Sequence, residues 1–203
     1  MSNVIEACGV FFFYAVAAVF AQNAVFSRAL GVSRLVKLVE DSTVDTLTFG
    51  GLMCLIQLIA APLAHYANRW IQPLPFRGAI WPLVFVLCST AAFLVVLALV
   101  LLVFRLQNAK QVVAVLPMAT FNSAVMGMLL ITATQSFTLL QTLGFALGSG
   151  VGYMMAVVIV TEGQRKLRSR SVPAAFKGLP VTLLYIGILS LAIYGFTGHR
   201  PSI

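Results

Sequence analysis

Charge is what this chain has least of. Five of its 203 residues are Asp or Glu, and all charged residues together make up 9%. A soluble domain carries about a quarter charged residues, so this chain cannot clothe a water-facing surface. Cysteine is equally thin: Cys8, Cys54 and Cys88 are the three present, each inside an apolar run and far from the others. That spacing excludes a disulfide framework and the paired spacing of a zinc site, and small buried apolar side chains explain all three. No Lys or Arg precedes the first apolar run at Cys8, so the basic start of a cleavable signal peptide is missing. No catalytic triad and no phosphate loop can be traced, since no Lys-Ser or Lys-Thr follows the glycines of the fifth apolar run.

What the chain has in abundance is apolar length: 61% of its residues are hydrophobic. A spanning helix needs about 20 mostly apolar residues. Six stretches qualify, at 7–27, 46–66, 79–104, 111–132, 137–161 and 179–197, and none has Asp, Glu, Lys or Arg in its core. The expected fold class is therefore an all-α integral membrane protein of six transmembrane helices.

The formal charge of +8 does not point to nucleic acid, because the basic residues lie in short gaps between apolar runs, where they meet the anionic surface of the bilayer. Arg28, Arg34 and Lys37, then Arg105 and Lys110, then Arg165, Lys166, Arg168, Arg170 and Lys177 fall in the odd-numbered loops. Arg69, Arg77 and Arg200 fall on the other side. Positive charge marks the cytoplasmic side, which predicts both termini outside. Trp70 and Trp81 flank the second outer loop as interfacial aromatics.

The first and fourth runs are interrupted. Gln22-Asn23-Ala24-Val25 breaks the first; Pro117 and Thr120-Phe121-Asn122-Ser123-Ala124-Val125 break the fourth. Proline removes a backbone donor and kinks or breaks a helix. Polar, Gly- or Pro-interrupted segments at matching places in two halves point to an inverted repeat, here about 1–104 and 105–203. Such backbone is tolerated at membrane depth only inside protein or beside a cavity, so the Asn23 and Asn122 segments are expected to meet at the centre. Simple interhelical hydrogen bonding by the two asparagines is the plainer alternative. In the fifth run, Gly144, Gly148 and Gly152 form two overlapping Gly-x-x-x-Gly pairs, which let helices pack closely. A leucine at Gly148 or Gly152 is expected to harm packing more than one at Ala146.

Several segments carry a family resemblance. Val172-Pro173-Ala174-Ala175-Phe176-Lys177-Gly178 leads into a last span that ends Leu189-Ser190-Leu191-Ala192-Ile193-Tyr194-Gly195-Phe196-Thr197-Gly198. Leu116-Pro117 with Asn122-Ser123-Ala124-Val125-Met126-Gly127, and Asn23-Ala24-Val25 with Leu30-Gly31-Val32-Ser33, add to it. Together they resemble the membrane subunits shared by the Rnf electron-transport complex and the sodium-pumping NADH:quinone oxidoreductase (Nqr), most closely the RnfA and NqrE type. The resemblance implies a single membrane domain over 1–203 with six helices in opposed repeats and both termini outside. It also implies a bacterial or archaeal plasma membrane, and partnership with a homologous six-helix subunit and other membrane subunits.

In that family one cysteine from each half, in two homologous subunits, is thought to hold an iron–sulfur cluster at mid-membrane. The matching positions here are Ser33 and Ser123, and Arg34-Leu35 replaces the usual Pro-Phe. Clusters are held by thiolates, so no metal ligand and no family-type cofactor is expected on this chain. The function read from the sequence is a membrane subunit of an Rnf/Nqr-type ion-translocating complex. The alternatives are a diverged paralogue that moves a small solute or ion, or a structural or assembly subunit. An autonomous ion pump is disfavoured, because no carboxylate lies in a span core; Glu6 and Glu162 sit at span ends. Reporter fusions at Arg168 and Arg200 test the orientation: they are expected to report opposite sides, and matching signals would refute it.

Overall fold

The computed structural model describes residues 2–40, 46–103, 106–167, 173 and 176–198. Arg105, Arg168, Arg170, Arg200 and most of 172–175 lie outside the described residues. All regular structure among the described residues is helical: α1 (Ser2–Val19), α2 (Val32–Glu40), α3 (Thr46–Ile71), α4 (Arg77–Val103), α5 (Leu106–Thr120), α6 (Ser123–Thr134), α7 (Leu139–Leu167) and α8 (Leu179–Thr197). Helix satisfies its backbone within the segment, which an apolar solvent requires.

Four helices, α3, α4, α7 and α8, are long and apolar enough to cross a membrane, and α5 with α6 makes a fifth if that bent pair is one span. The outward surface is apolar, with Leu102 85% and Phe196 96% exposed on α4 and α8. A soluble protein does not present such a continuous apolar surface. The chain is a multi-pass membrane protein.

The first run is shorter as a helix than its apolar length predicts. α1 stops at Val19, and the chain turns irregularly through Asn23 and Gly31 into α2. α2 buries Leu35 and Val36 against the core and leaves Ser33 and Lys37 exposed. The break in the fourth run also differs from expectation. α5 continues through Pro117 to Thr120, and the interruption falls at Phe121 and Asn122, where the axis bends by 43°. A proline costs one hydrogen bond but the helix can kink past it; the asparagine cap is what ends it.

α7 is the axis of the bundle. A Cβ on Gly144 would strike the Phe11 carbonyl, and one on Gly148 the Ala15 carbonyl. At Gly152 a Cβ would stand 3.1 Å from the Val19 Cα. The numbers rise together on both helices, so α1 runs parallel to α7 with backbone against backbone. α3 crosses α7 in the opposite sense: Met154 packs on Gly50, while the Cα of Cys54 is 3.0 Å from the Cβ position of Gly150. α8 is anchored near its start. Gln164 donates from Nε2 to the Thr182 hydroxyl, and Gly163 receives the Tyr185 ring. Trp81 departs from a purely interfacial role: it donates to Asn68 Oδ1 at 2.9 Å and packs against the core, while Trp70 is 85% exposed.

Ala146 is as fully buried as the glycines, so the informative control for them lies at Val151, which is 41% exposed. Gly148→Leu is expected to lower stability in detergent by about 3 kcal/mol or more, above ordinary overpacking of about 1–3 kcal/mol, because it meets backbone. Val151→Leu is expected to shift the melting temperature little. Equal melting temperatures for the two variants would refute this packing account.

Candidate functional site: the junction of two interrupted segments

Asn23 is fully buried and uses every bond its amide offers. Its Nδ2 donates to the Val19 carbonyl at 2.8 Å and the Gly152 carbonyl at 3.0 Å. Its Oδ1 accepts from the backbone of Val25 at 2.9 Å and Phe26 at 3.2 Å. One side chain therefore closes the end of α1, caps the next turn and ties both to α7. That turn is short. The Leu30 amide donates to the Ala24 carbonyl at 2.8 Å, and Ala29 (φ 54°) and Gly31 (φ 75°) adopt left-handed backbone that ends it.

Asn122 repeats the device in the other half. It is extended (φ −95°, ψ 136°), and its Oδ1 accepts the Ala124 amide at 3.1 Å, capping α6. Pro117 stands a turn earlier, and its carbonyl takes the Phe121 amide at 3.0 Å.

The two segments touch through Gly31. Its amide donates to the Ser123 hydroxyl at 2.8 Å. Its carbonyl accepts the Tyr153 hydroxyl at 2.8 Å and the amides of Arg34 and Leu35, at 3.1 and 2.9 Å. A Cβ at Gly31 would lie 2.5 Å from Tyr153 Cε2 and 2.8 Å from Asn122 Oδ1, so only glycine fits both the space and the positive φ. Leu30 lies over Gly127 of α6. The junction is thus sealed inward by Asn23, Asn122 and Tyr153, all at most 1% exposed. Ser33 and Ser123 stand outward on its exposed side.

Of the residues singled out from the sequence, Asn23, Asn122 and Ser123 come together here, with Gly152 joined through Asn23. Ser33 stands two residues beyond Gly31, in the first turn of α2. Gly144 and Gly148 serve the α1 contact further along α7. Tyr153, Gln57 and Ser149 were not singled out. A hydroxyl-bearing aromatic one position after Gly152 and a glutamine within an apolar span were the available signals.

The class defined by these features is a polytopic helical membrane protein built around interrupted, asparagine-capped segments. The sequence profile described as "Rnf-Nqr subunit, membrane protein" matches residues 11–199. The chain belongs to the Rnf-Nqr subunit family of membrane proteins. It is 41% identical over 86 residues to the A subunit of the ion-translocating oxidoreductase complex of Syntrophotalea carbinolica, covering 42% of this chain and 45% of that one. It is 28% identical over 189 residues to the A subunit of the Na(+)-translocating ferredoxin:NAD(+) oxidoreductase complex of Acetobacterium woodii, covering 93% and 97%. A third relative is the E subunit of the Na(+)-translocating NADH-quinone reductase of Psychromonas ingrahamii, 34% identical over 83 residues, 41% of each chain. The matches thus span less than half the length of the first and third relatives and nearly all of the second.

Loss of an asparagine cap costs about 0.5–2 kcal/mol. Asn122→Ala is expected to fall in that range by denaturation in detergent, and Asn23→Ala to cost more, because its four bonds hold two helices as well as a turn. The reverse order would show that the caps are not what holds the junction.

Proposed function

We propose that this chain is a membrane subunit of an Rnf/Nqr-type ion-translocating electron-transport complex, seated beside a homologous six-helix subunit in a bacterial or archaeal plasma membrane. The observation that carries the reading is the family match over nearly the whole chain, read together with the junction of the Asn23 and Asn122 segments. An arrangement of two opposed three-helix repeats is supported by two correspondences. Asn23 and Asn122 each cap the turn that follows them. Gly50 and Gly150 each receive a side chain of the other's helix, Met154 and Cys54. On this reading α1 with its turn is the first of six spans and both termini lie outside the cytoplasm.

The family's iron–sulfur cluster does not fit the residues present. Ser33 and Ser123 stand at the positions the resemblance assigns to its cysteine ligands, and the Ser123 oxygen already accepts the Gly31 amide. A serine hydroxyl offers a hard oxygen with a proton hard to remove, where iron in such clusters prefers thiolate. The three cysteines lie elsewhere, on α1, α3 and α4. Among the described residues no group of three His, Cys, Asp or Glu gathers. The role proposed for this chain is to hold the scaffold and the interface, without contributing cluster ligands of its own.

Affinity purification of this chain from its host in mild detergent is expected to bring down homologous membrane subunits with flavin-carrying ones. Isolation of the chain alone, with solute flux in liposomes, would favour a transporter instead. Iron and acid-labile sulfide in the anaerobically purified complex are expected to be the same with Ser123→Ala as with wild type. A stoichiometric loss of both would show that serine serves as a ligand. The double change Ser33→Cys with Ser123→Cys is expected to raise iron retention.

A further inference from the structure

Two buried polar atoms at the heart of the bundle have no protein partner among the described residues: the side-chain oxygen of Gln57 and the side-chain nitrogen of Asn122. Both residues are at most 1% exposed. The third such atom, Gln22 Oε1, belongs to a half-buried residue. A buried polar group left unpaired costs about 1–3 kcal/mol, and the penalty grows where the surroundings are hydrocarbon.

The two atoms bracket one turn of α7. Gln57 Oε1 is 3.2 Å from the Cβ position of Gly150, and its Nε2 donates weakly to the Ser149 hydroxyl at 3.4 Å. The Asn122 amide and the Tyr153 hydroxyl meet over Gly31, 2.8 and 3.2 Å from its Cβ position. Gly150 and Tyr153 are three positions apart on the helix, and so share a face. The orientation of Asn122 is fixed, because its oxygen is occupied by the Ala124 amide. Its free group is therefore a donor, while the free group of Gln57 is an acceptor.

That pairing selects the ligand. A metal cation would be repelled by the Asn122 amine, and an anion by the Gln57 oxygen. A molecule that both donates and accepts satisfies each end, and buried water does this, typically with two to four polar partners. We propose that water is bound at the junction of α3, α6 and α7, donating to Gln57 Oε1 and accepting from Asn122 Nδ2. The hydroxyls of Ser149 and Tyr153 stand at its two ends. The site lies on the inner side of the Gly31–Ser123 contact, so polar solvent reaches the interrupted segments from within the protein. It does not depend on the redox reading above.

A map of the purified complex that resolves ordered solvent tests this directly. Density is expected within hydrogen-bond distance, about 2.7–3.2 Å, of both Gln57 Oε1 and Asn122 Nδ2, through one water or two in sequence. A direct bond between the two amides, or closure of the space by apolar side chains, would overturn the proposal. Cys54 gives a second readout, since its sulfur packs on Gly150 beside Gln57. In a Cys8→Ser, Cys88→Ser background, 2-aminoethyl methanethiosulfonate attacks the thiolate, a form that apolar burial disfavours. Cys54 is expected to be modified in the folded complex, with loss of labelling in Gln57→Leu. No labelling before denaturation, or an unchanged rate in Gln57→Leu, would overturn the site.

Discussion

Every peptide group taken into hydrocarbon must find its partner inside the protein, and the irregular backbone of this chain is arranged around that demand. From Phe20 to Gly31 the helical ladder is broken. The missing bonds are replaced one at a time. Asn23 serves the carbonyl of Val19 and the amides of Val25 and Phe26. Ser123 serves the amide of Gly31, and Tyr153 its carbonyl. Two of these helpers come from the other half of the chain. The break in the first half therefore exists only because the second half is folded against it.

Helices in lipid gain little from hiding apolar surface from one another, so their association rests on close contact and hydrogen bonds. α7 supplies both. Its glycines open separate sides: Gly144, Gly148 and Gly152 toward α1, Gly150 toward α3, and Gly163 toward α8. Ser149 and Tyr153, between them, carry the polar contacts. Losing one glycine therefore removes one neighbour rather than loosening the whole bundle evenly.

Much of this was legible in the sequence because apolar length is a strong signal. The helices at Thr46 and Leu179 begin where the apolar runs begin. The breaks were legible only in part. Pro117 drew attention to the right region, but the helix runs past it and stops at Asn122, because a proline removes one bond whereas a capping side chain starts a new helix. The first run reads as a continuous span through residue 27, yet α1 ends at Val19. Hydropathy cannot register a turn made of Ala, Val and Phe. Tyr153 and Gln57 stayed hidden for a related reason. A single polar residue in an apolar run has no period, and its partner is set by which helix crosses it. The place of Trp81 likewise followed from Asn68, thirteen residues away across a turn.

The parallel contact of α1 with α7 also fixes an order of events. Asn23 and the Gly152 carbonyl it bonds are 129 residues apart in the chain. At about 5–20 residues per second of synthesis, α1 resides in the membrane for roughly 6–26 s before its partner helix is made. During that interval its packing face and the amide of Asn23 have only lipid, earlier helices or the insertion machinery for company. The close fit at Gly144, Gly148 and Gly152 is thus the last step of assembly for the first helix to be inserted. A chain cut short before α7 leaves its N-terminal segment without the surface that defines where it ends.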